Sequence, residues 1–578
     1  MANQRQTDEL KGALGSARGL FTSVGLFSLF INILLLVSPL YMLQVYDRVL
    51  TSRSHDTLVA LTVLAIGLIA LSAFLELVRS RILVRLSARL DAHLSETVFS
   101  ALFRQRLRSR GASGTQPLRD LEAIRTFLTG TGLLAFFDSP WTPIFLTIIF
   151  LFHPVLGVIA LTGAAILFTL AVISEFATRG PLRKSGAQSV LAYDFADSTL
   201  RNAEAIRAMG MLPQIRARWL ARHMEGLASQ SDGTDRAGLL TSIAKLIRPG
   251  LQVAMLGAGA YLVLQEAITP GVMIASSIIM GRALAPVEGA INNWRSFIAA
   301  RSAHGRLRKL LEENPEAGDT LELPAPKGQI RVESATVIPP GAEAPVLRGV
   351  SFEIKPGETV GVIGPSAAGK STLARLLVGV WPPAAGHMRL DGADLCNWAP
   401  ERLGPSIGYL PQDVELLAGT IAENIARFEE PDAQAVIEAA KLCDAHEMIL
   451  SLKDGYDTQI GEQGGILSGG QRQRIGLARA LYGNPAVIVL DEPNASLDGE
   501  GETALKVALQ RLKERERTVV IISHKPQILA SVDNVLVLRN GQLDMYGSRD
   551  EVLPQLMRPV RSVPSLQKIR KAKEHAGG

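Results

Sequence analysis

The chain has 578 residues, 47% of them hydrophobic and only 5% aromatic, with a mean hydropathy of +0.20, which is too long for one core and too apolar for a wholly soluble protein. The formal net charge of +5 is unevenly spread: residues 1–320 hold 32 Lys and Arg against 23 Asp and Glu (net +9), whereas residues 321–578 hold 28 against 32 (net −4). The basic excess therefore accompanies the apolar half, where it suits anionic lipid headgroups, and without a basic stripe interleaved with aromatics it excludes nucleic acid as the partner.

Residues 1–19 are polar and mixed in charge, and no small-residue cleavage site follows a short apolar run, so they are expected to be a cytoplasmic segment and not a cleaved signal. A hydrocarbon core of about 30 Å needs roughly 20 helical residues to cross it. Leu20 to Tyr46 carries no charge, and Thr57 to Leu75 is a second such run. Ser139 to Ser174 is long enough for two spans, with His153-Pro154 as the natural break. Pro249 to Gln265 and Ala267 to Gly281 are Gly- and Ala-rich runs of the kind found where helices pack closely in bilayers. Six spans within residues 20–312 are expected, the alternative for the last two being buried helices of a soluble domain.

The loops orient these spans. Arg79, Arg81, Arg85, Arg89, Arg104, Arg106, Arg108 and Arg110 separate the second and third, and a comparable basic stretch from Arg179 to Arg222 separates the fourth and fifth. Arg and Lys near span ends stay cytoplasmic, so both termini are expected inside. Both basic stretches are helical in pattern and are expected to be stalks that prolong the spans, with the neighbourhoods of Arg104–Glu122 and Ala205–Arg216 passing motion to the rest of the chain. Glu76, Arg248, Glu266, Arg282 and Glu288 lie at or near span ends, where such charges either snorkel, face a stalk or line a path.

Residues 313–328, rich in Pro and acidic groups, are expected to form a linker to an α/β domain over 329–556, and the basic end over 557–578 a lipid-adjacent tail. Thr359 to Ile363 has the pattern of a buried strand. It leads into Gly364-Pro365-Ser366-Ala367-Ala368-Gly369-Lys370-Ser371, with Ser371-Thr372-Leu373 opening a helix, which is the setting a phosphate-binding loop requires. Its backbone N–H groups and the helix N-terminus favour phosphate; Lys370 would reach the β- and γ-phosphates of ATP, and Ser371 would ligate Mg²⁺. Further on, the apolar strand Ala486 to Leu490 ends in Asp491-Glu492. Adjacent carboxylates are ordinarily solvated surface, but at the end of a buried strand Asp491 suits the Mg²⁺ shell and Glu492 the attacking water. Cys396 and Cys443 fit no metal-ligand spacing and are expected to be core thiols in a reducing cytoplasm.

Leu467-Ser468-Gly469-Gly470-Gln471, placed ahead of the Asp491 strand, resembles the signature sequence of ATP-binding-cassette (ABC) proteins, as do Gln412 after Tyr409-Leu410-Pro411, Leu497-Asp498 and His524. The resemblance implies that Gln412 senses the metal, that Asp498 belongs to a loop crossing a dimer, and that His524 contacts the γ-phosphate. It also implies that Ser468, Gly469, Gly470 and Gln471 close over the phosphate-binding loop of a second copy, so that a homodimer has two composite sites and twelve spans. Three departures stand out. Ala367-Ala368 replace the more usual Gly-Ser, and Ala tolerates positive φ poorly. Asn494-Ala495-Ser496 departs from the usual residues after the proline. No aromatic stands near Val337-Ile338-Pro339-Pro340 to stack on adenine, leaving apolar contact.

The apolar half narrows the resemblance. Ser38 to Val49, Phe137-Asp138-Ser139-Pro140-Trp141-Thr142-Pro143-Ile144, Ala205 to Met211 and Asn293-Trp294-Arg295 look like type I secretion ABC transporters, closest to the branch that secretes proteases and RTX proteins. That branch lacks an N-terminal peptidase-like domain, and no Cys precedes the first span here. The fold implied is a six-span α-helical exporter domain fused to an α/β P-loop ATPase. The function implied is ATP-driven export of unfolded polypeptide carrying a C-terminal signal across the bacterial inner membrane, with a periplasmic membrane-fusion adaptor and an outer-membrane tunnel protein as partners. A lipid, glycan or drug exporter on the same scaffold is the alternative, and an ATP-gated channel is a third class.

Overall fold

The computed structural model describes residues 18–109, 114–315, 323–461, 464–495 and 499–556. The expected basic tail, most of the N-terminal segment, part of the linker, Arg110 and Asp498 lie outside the described residues. The chain divides into a helical unit over residues 1–106 and 111–316 and a second unit over 107–110 and 317–578 that holds all ten described strands.

In the helical unit six stretches are long and apolar enough to cross a membrane: Gly19–Ser52, His55–Arg108, Thr131–Phe152, Pro154–Arg201, Leu212–Leu264 and Pro270–Asn292. The first begins with α1 (Arg18–Leu34) and includes a π-helical turn at Val45–Val49. Next come α2 (His55–Arg108), α3 (Gln116–Thr129), α4 (Thr131–Asp138), α5 (Thr142–Phe152), α6 (Pro154–Arg201), α7 (Leu212–Leu264), α8 (Pro270–Asn292) and α9 (Trp294–Glu313). At 1.5 Å per residue α2, α6 and α7 are about 70–80 Å long, more than twice the hydrocarbon core, so each of these helices is far longer than a span alone requires. The break at His153-Pro154 is local chemistry. His153 is extended, its Nδ1 accepts from the Val155 N–H at 3.2 Å, and Pro154 opens α6 where a missing N–H costs nothing.

Phe145, Ile149, Leu156, Leu167, Met255, Ile279, Met280 and Leu284 form the buried centre of this unit. The fifth and sixth spans pack closely because one is small where the other is large: a Cβ added to Gly259 would lie 2.6 Å from the Met273 side chain. Of the charges near span ends, Arg248 and Glu288 pair, with Nη1 to Oε2 at 2.8 Å.

Three expectations change. The third span begins at Thr131, before the uncharged run at Ser139, because the helix runs through Asp138 and a 3₁₀ turn at Ser139–Trp141. Arg79 is not a solvated loop cation. It is 3% exposed, and its Nη1 donates to Asp138 Oδ1 and to Ser28 Oγ, each at 2.9 Å. Asn32 Nδ2 donates to the same Asp138 oxygen at 3.0 Å, and Ser28 Oγ donates to it as well. Asp138 offsets the charge that hydropathy alone assigns to water, tying α1, α2 and α4 together. Cys396 is exposed; only Cys443 is a core thiol, and burial pushes it up to about 12.

The second unit has two sheets. β1 (Ile330–Val337), β2 (Leu347–Ile354), β4 (Ala385–Leu390) and β5 (Ala393–Asp394) form an antiparallel sheet in the order β2-β1-β4-β5. The other sheet runs β10-β9-β3-β8-β7-β6. It contains β3 (Thr359–Ile363), β6 (Ile407–Leu410), β7 (Val487–Asp491), β8 (Thr518–Ile522) and β9 (Asn534–Arg539), all parallel, with β10 (Gln542–Ser548) antiparallel on the edge. Every residue of β7 and β8 is buried, as expected for parallel strands covered on both faces, which is why they are continuous apolar runs in sequence.

Candidate functional site

Parallel pairing of β3, β8, β7 and β6 puts their C-terminal ends on one edge of the sheet, the edge where α/β folds bind ligands. That edge collects groups that are up to 160 residues apart in sequence. Gly364 to Gly369 follow β3, and α10 (Lys370–Leu377) starts directly after them. Ser523 and His524 follow β8, Asp491 ends β7 with Glu492 directly after it, and Gln412 lies exposed beyond β6.

The loop after β3 is preshaped. Gly369 has φ +98, and a Cβ there would come within 2.8 Å of Leu347. Ala367 has φ +64, so the residue that replaces a more usual glycine does occupy the left-handed region. Its neighbour Ala368 is instead 2% exposed and packs in the core. Lys370 Nζ donates to the carbonyl oxygens of Gly364 at 2.8 Å and Pro365 at 3.0 Å, curling back over the loop. Burial lowers the Lys370 pKa, with Glu492 and Asp491 pulling it up.

Asp491 is 1% exposed, and neither carboxylate oxygen has a hydrogen-bond partner of normal geometry. Burial pushes its carboxyl above the usual aspartate range, opposed by the Ser371 hydroxyl beside it and by Arg375 and Lys370, and reinforced by Glu492. A buried carboxylate with two orphaned oxygens beside a serine hydroxyl is the hard oxygen donor set that suits Mg²⁺. Glu492 has φ +50, its N–H donates to the Ile522 carbonyl at 3.0 Å, and its Oε1 lies 3.7 Å from His524 Nε2.

Ser468 is the N-cap of α11 (Gly469–Leu481). Its hydroxyl accepts from the Gln471 N–H at 3.2 Å, and Gln471 Oε1 accepts from the Ser468 N–H at 2.9 Å. The signature sequence is thus a capping box, with Gly469 and Gly470 leaving the first turn bare. Among the described residues, no hydrogen bond or ion pair joins Ser468, Gly469, Gly470 or Gln471 to Gly364–Thr372. The structure brings Lys370, Ser371, Asp491, Glu492 and His524 together.

Residues 21–286 match the family described as ABC transporter transmembrane region, and residues 347–495 match the family ABC transporter. The chain is 45% identical over 549 residues to Type I secretion system ATP-binding protein PrsD of Rhizobium meliloti (strain 1021), covering 95% of this chain and 94% of the relative. The protein belongs to the type I secretion ABC transporters. Leukotoxin translocation ATP-binding protein LktB of Mannheimia haemolytica is 33% identical, with 93% of this ABC transporter and 76% of LktB covered. Among solved structures, a bacterial Atm1-family ABC exporter with ATP bound matches with a TM-score of 0.80 and 26% identity over 93% of this chain and 97% of that one. This ABC transporter is accordingly a multi-pass membrane protein that binds and hydrolyses ATP.

Two residues around the transporter's site, Gln473 and Ser523, escape sequence reasoning. Gln473 Nε2 donates to the Glu492 carbonyl at 3.2 Å, and Ser523 Oγ donates to Asn494 Oδ1 at 3.1 Å; all three polar side chains, Gln473, Ser523 and Asn494, are buried. The only signal for Gln473 is a polar residue at an inward position of α11, and that position is not known until the helix is packed.

Proposed function

We propose that the protein works as a homodimer that exports unfolded polypeptide from the bacterial cytoplasm across the inner membrane, using two composite ATP sites. The end-to-end similarity to PrsD carries this reading. The side chains of Ser468 and Gln471 are engaged with each other's backbone and, among the described residues, make no hydrogen bond to the chain's own phosphate-binding loop, which supports the composite site. A periplasmic membrane-fusion adaptor and an outer-membrane tunnel protein complete the path.

In this reading the N–H groups of Gly364, Pro365-Ser366-Ala367-Ala368, Gly369 and Thr372, proline excepted, cradle the phosphates. Lys370 swings from the Gly364 and Pro365 carbonyls to the β- and γ-phosphates. Ser371, Asp491 and Gln412 would hold Mg²⁺, which when bound neutralises charge on the β- and γ-phosphate oxygens. Glu492 takes the proton of the water whose oxygen bonds to the γ-phosphorus as the bond to the ADP oxygen breaks, and His524 steadies the γ-phosphate. Ile338, 43% exposed just after β1, offers adenine an apolar contact. Asp498 and the signature of the partner close the site.

The test is ATPase activity of the full chain in lipid nanodiscs, titrated with C-terminal segments of secreted proteins. Saturable, sequence-dependent modulation by such peptides is the expected result. Response to lipids, glycans or drugs with indifference to every C-terminal peptide would sink the polypeptide substrate.

A further inference from the structure

Gln473 sits at the fifth position of α11, just beyond the capping box that orders Ser468–Gln471, and is 4% exposed. Its Nε2 donates to the carbonyl oxygen of Glu492 at 3.2 Å, an oxygen that also accepts from the Ala495 N–H at 3.1 Å. The Glu492 N–H is held by the Ile522 carbonyl at 3.0 Å. Glu492 has φ +50, a backbone region that a glutamate keeps only where its surroundings hold it. Of these three bonds on the Glu492 backbone, one comes from its own turn and one from β8. The third comes from the helix whose N-terminus is the signature sequence.

In the composite-site reading, one helix therefore lies between two different ATP sites. Glu492 serves the nucleotide on this chain's own phosphate-binding loop, whereas Ser468, Gly469 and Gly470 serve the partner's. We propose that Gln473 is a positioning residue that couples the two composite sites: seating of the signature turn on the partner's nucleotide is passed along α11 to the Glu492 peptide and sets the carboxylate for hydrolysis in the chain's own site. The coupling rests on the composite-site reading above. A buried glutamine also needs its amide satisfied wherever it lies, so a purely structural role is the competing account, and the two predict different kinetics.

The test uses the full chain in nanodiscs, with ATPase rate measured against ATP concentration. Gln473→Met keeps the volume and removes the donor; Gln473→Glu keeps the shape and sets an acceptor against a carbonyl. Loss of one transition-state-relevant hydrogen bond is expected to lower kcat roughly tenfold in both variants. The Hill coefficient should fall from above 1 toward 1, while half-saturating ATP and the thermal midpoint stay close to wild type. Unchanged kcat and Hill coefficient would overturn the proposal. So would a lowered thermal midpoint with reduced turnover and an unchanged Hill coefficient, which is the structural account. Failure of the composite site itself is seen separately: wild-type turnover would be hyperbolic, and Glu492→Gln would not trap two ATP per dimer.

Discussion

Asp47 caps the helix that begins at Pro270 through the backbone of Gly271: Asp47 Oδ1 accepts from the Gly271 N–H at 2.9 Å, and its Oδ2 accepts from Thr269 Oγ1 at 2.5 Å. The two residues are 224 positions apart, so a carboxylate at the end of the first span satisfies the open donors and the dipole at the start of the sixth. The π-helical turn at Val45–Val49 contains Asp47, and π-helical turns inside α-helices often mark functional positions. Gly271 is required by the approach, since a Cβ there would lie 2.5 Å from Asp47 Oδ1. Asp47→Ala should cost about 1–2 kcal/mol, the range for a lost cap, and Gly271→Ala should lower the thermal midpoint of the detergent-solubilised chain by displacing the carboxylate. The double variant should be no worse than the poorer single one, because both remove the same contact. Additive losses would break the link.

Ala367 holds the left-handed conformation that glycine adopts without penalty. Ala367→Gly should stabilise the ATPase unit by about 1 kcal/mol, the steric cost of a Cβ in that region less the extra entropy of an unfolded glycine. ATP affinity should stay within about twofold, because the loop already has its φ before nucleotide arrives. A β-branched Ala367→Val should lose stability and binding together. Thermal melts with and without ATP separate these outcomes.

Glu492→Gln removes the proton acceptor but keeps shape and most hydrogen bonding. ATP binding should persist while hydrolysis slows by roughly 10²–10⁴-fold, the usual contribution of a general base. Lys370→Ala should weaken ATP binding itself, since Lys370 is the cation of the loop. Near-normal turnover in the Glu492 variant would remove it from the reaction. Equilibrium binding and single-turnover hydrolysis on the same samples decide the matter.

Asp491 carries a pH signature. Burial raises its carboxyl above the ordinary aspartate range, so protonation favours the folded, metal-free chain: that contribution is fully present below the usual aspartate range and is lost as pH rises through the raised value. Holding Mg²⁺ requires the ionised form, so Mg²⁺ binding should release a proton as pH falls toward the raised value. Mg²⁺-dependent ATP turnover should decline on the acid side at a higher pH than an exposed aspartate would dictate. Calorimetric titrations of Mg²⁺ in buffers of different ionisation heat measure the released proton. Buffer-independent heats across that range would contradict it.

The membrane runs, the phosphate-binding loop, the strand ending in Asp491-Glu492 and the signature were legible because each is written in neighbouring residues. Hydropathy over some twenty positions, a glycine spacing, and a buried strand closed by two carboxylates need no distant partner to be recognised. Even the break at His153-Pro154 follows from proline's own geometry. The expected strand at Ala486–Leu490 was displaced by only one residue, to Val487–Asp491.

Tertiary structure decided what depends on pairing across the chain. Arg79 carries a charge that composition assigns to water, and only the packing of α1, α2 and α4 reveals Asp138 beside it. Cys396 and Cys443 are the same residue type in similar surroundings of sequence, yet one is exposed and the other buried. Strand order brings Lys370, Asp491, Glu492 and His524 to one edge, and inward rotation of α11 brings Gln473 to the Glu492 peptide. Sequence by itself determined that this is an ABC transporter and where its phosphate-binding loop, its strand ending in Asp491 and its signature lie in the chain, because those motifs are local. The structure alone decided the partners of Asp47, Arg79 and Gln473 and the positive φ of Ala367, because burial, backbone sign and long-range hydrogen bonds exist only once the chain has folded onto itself.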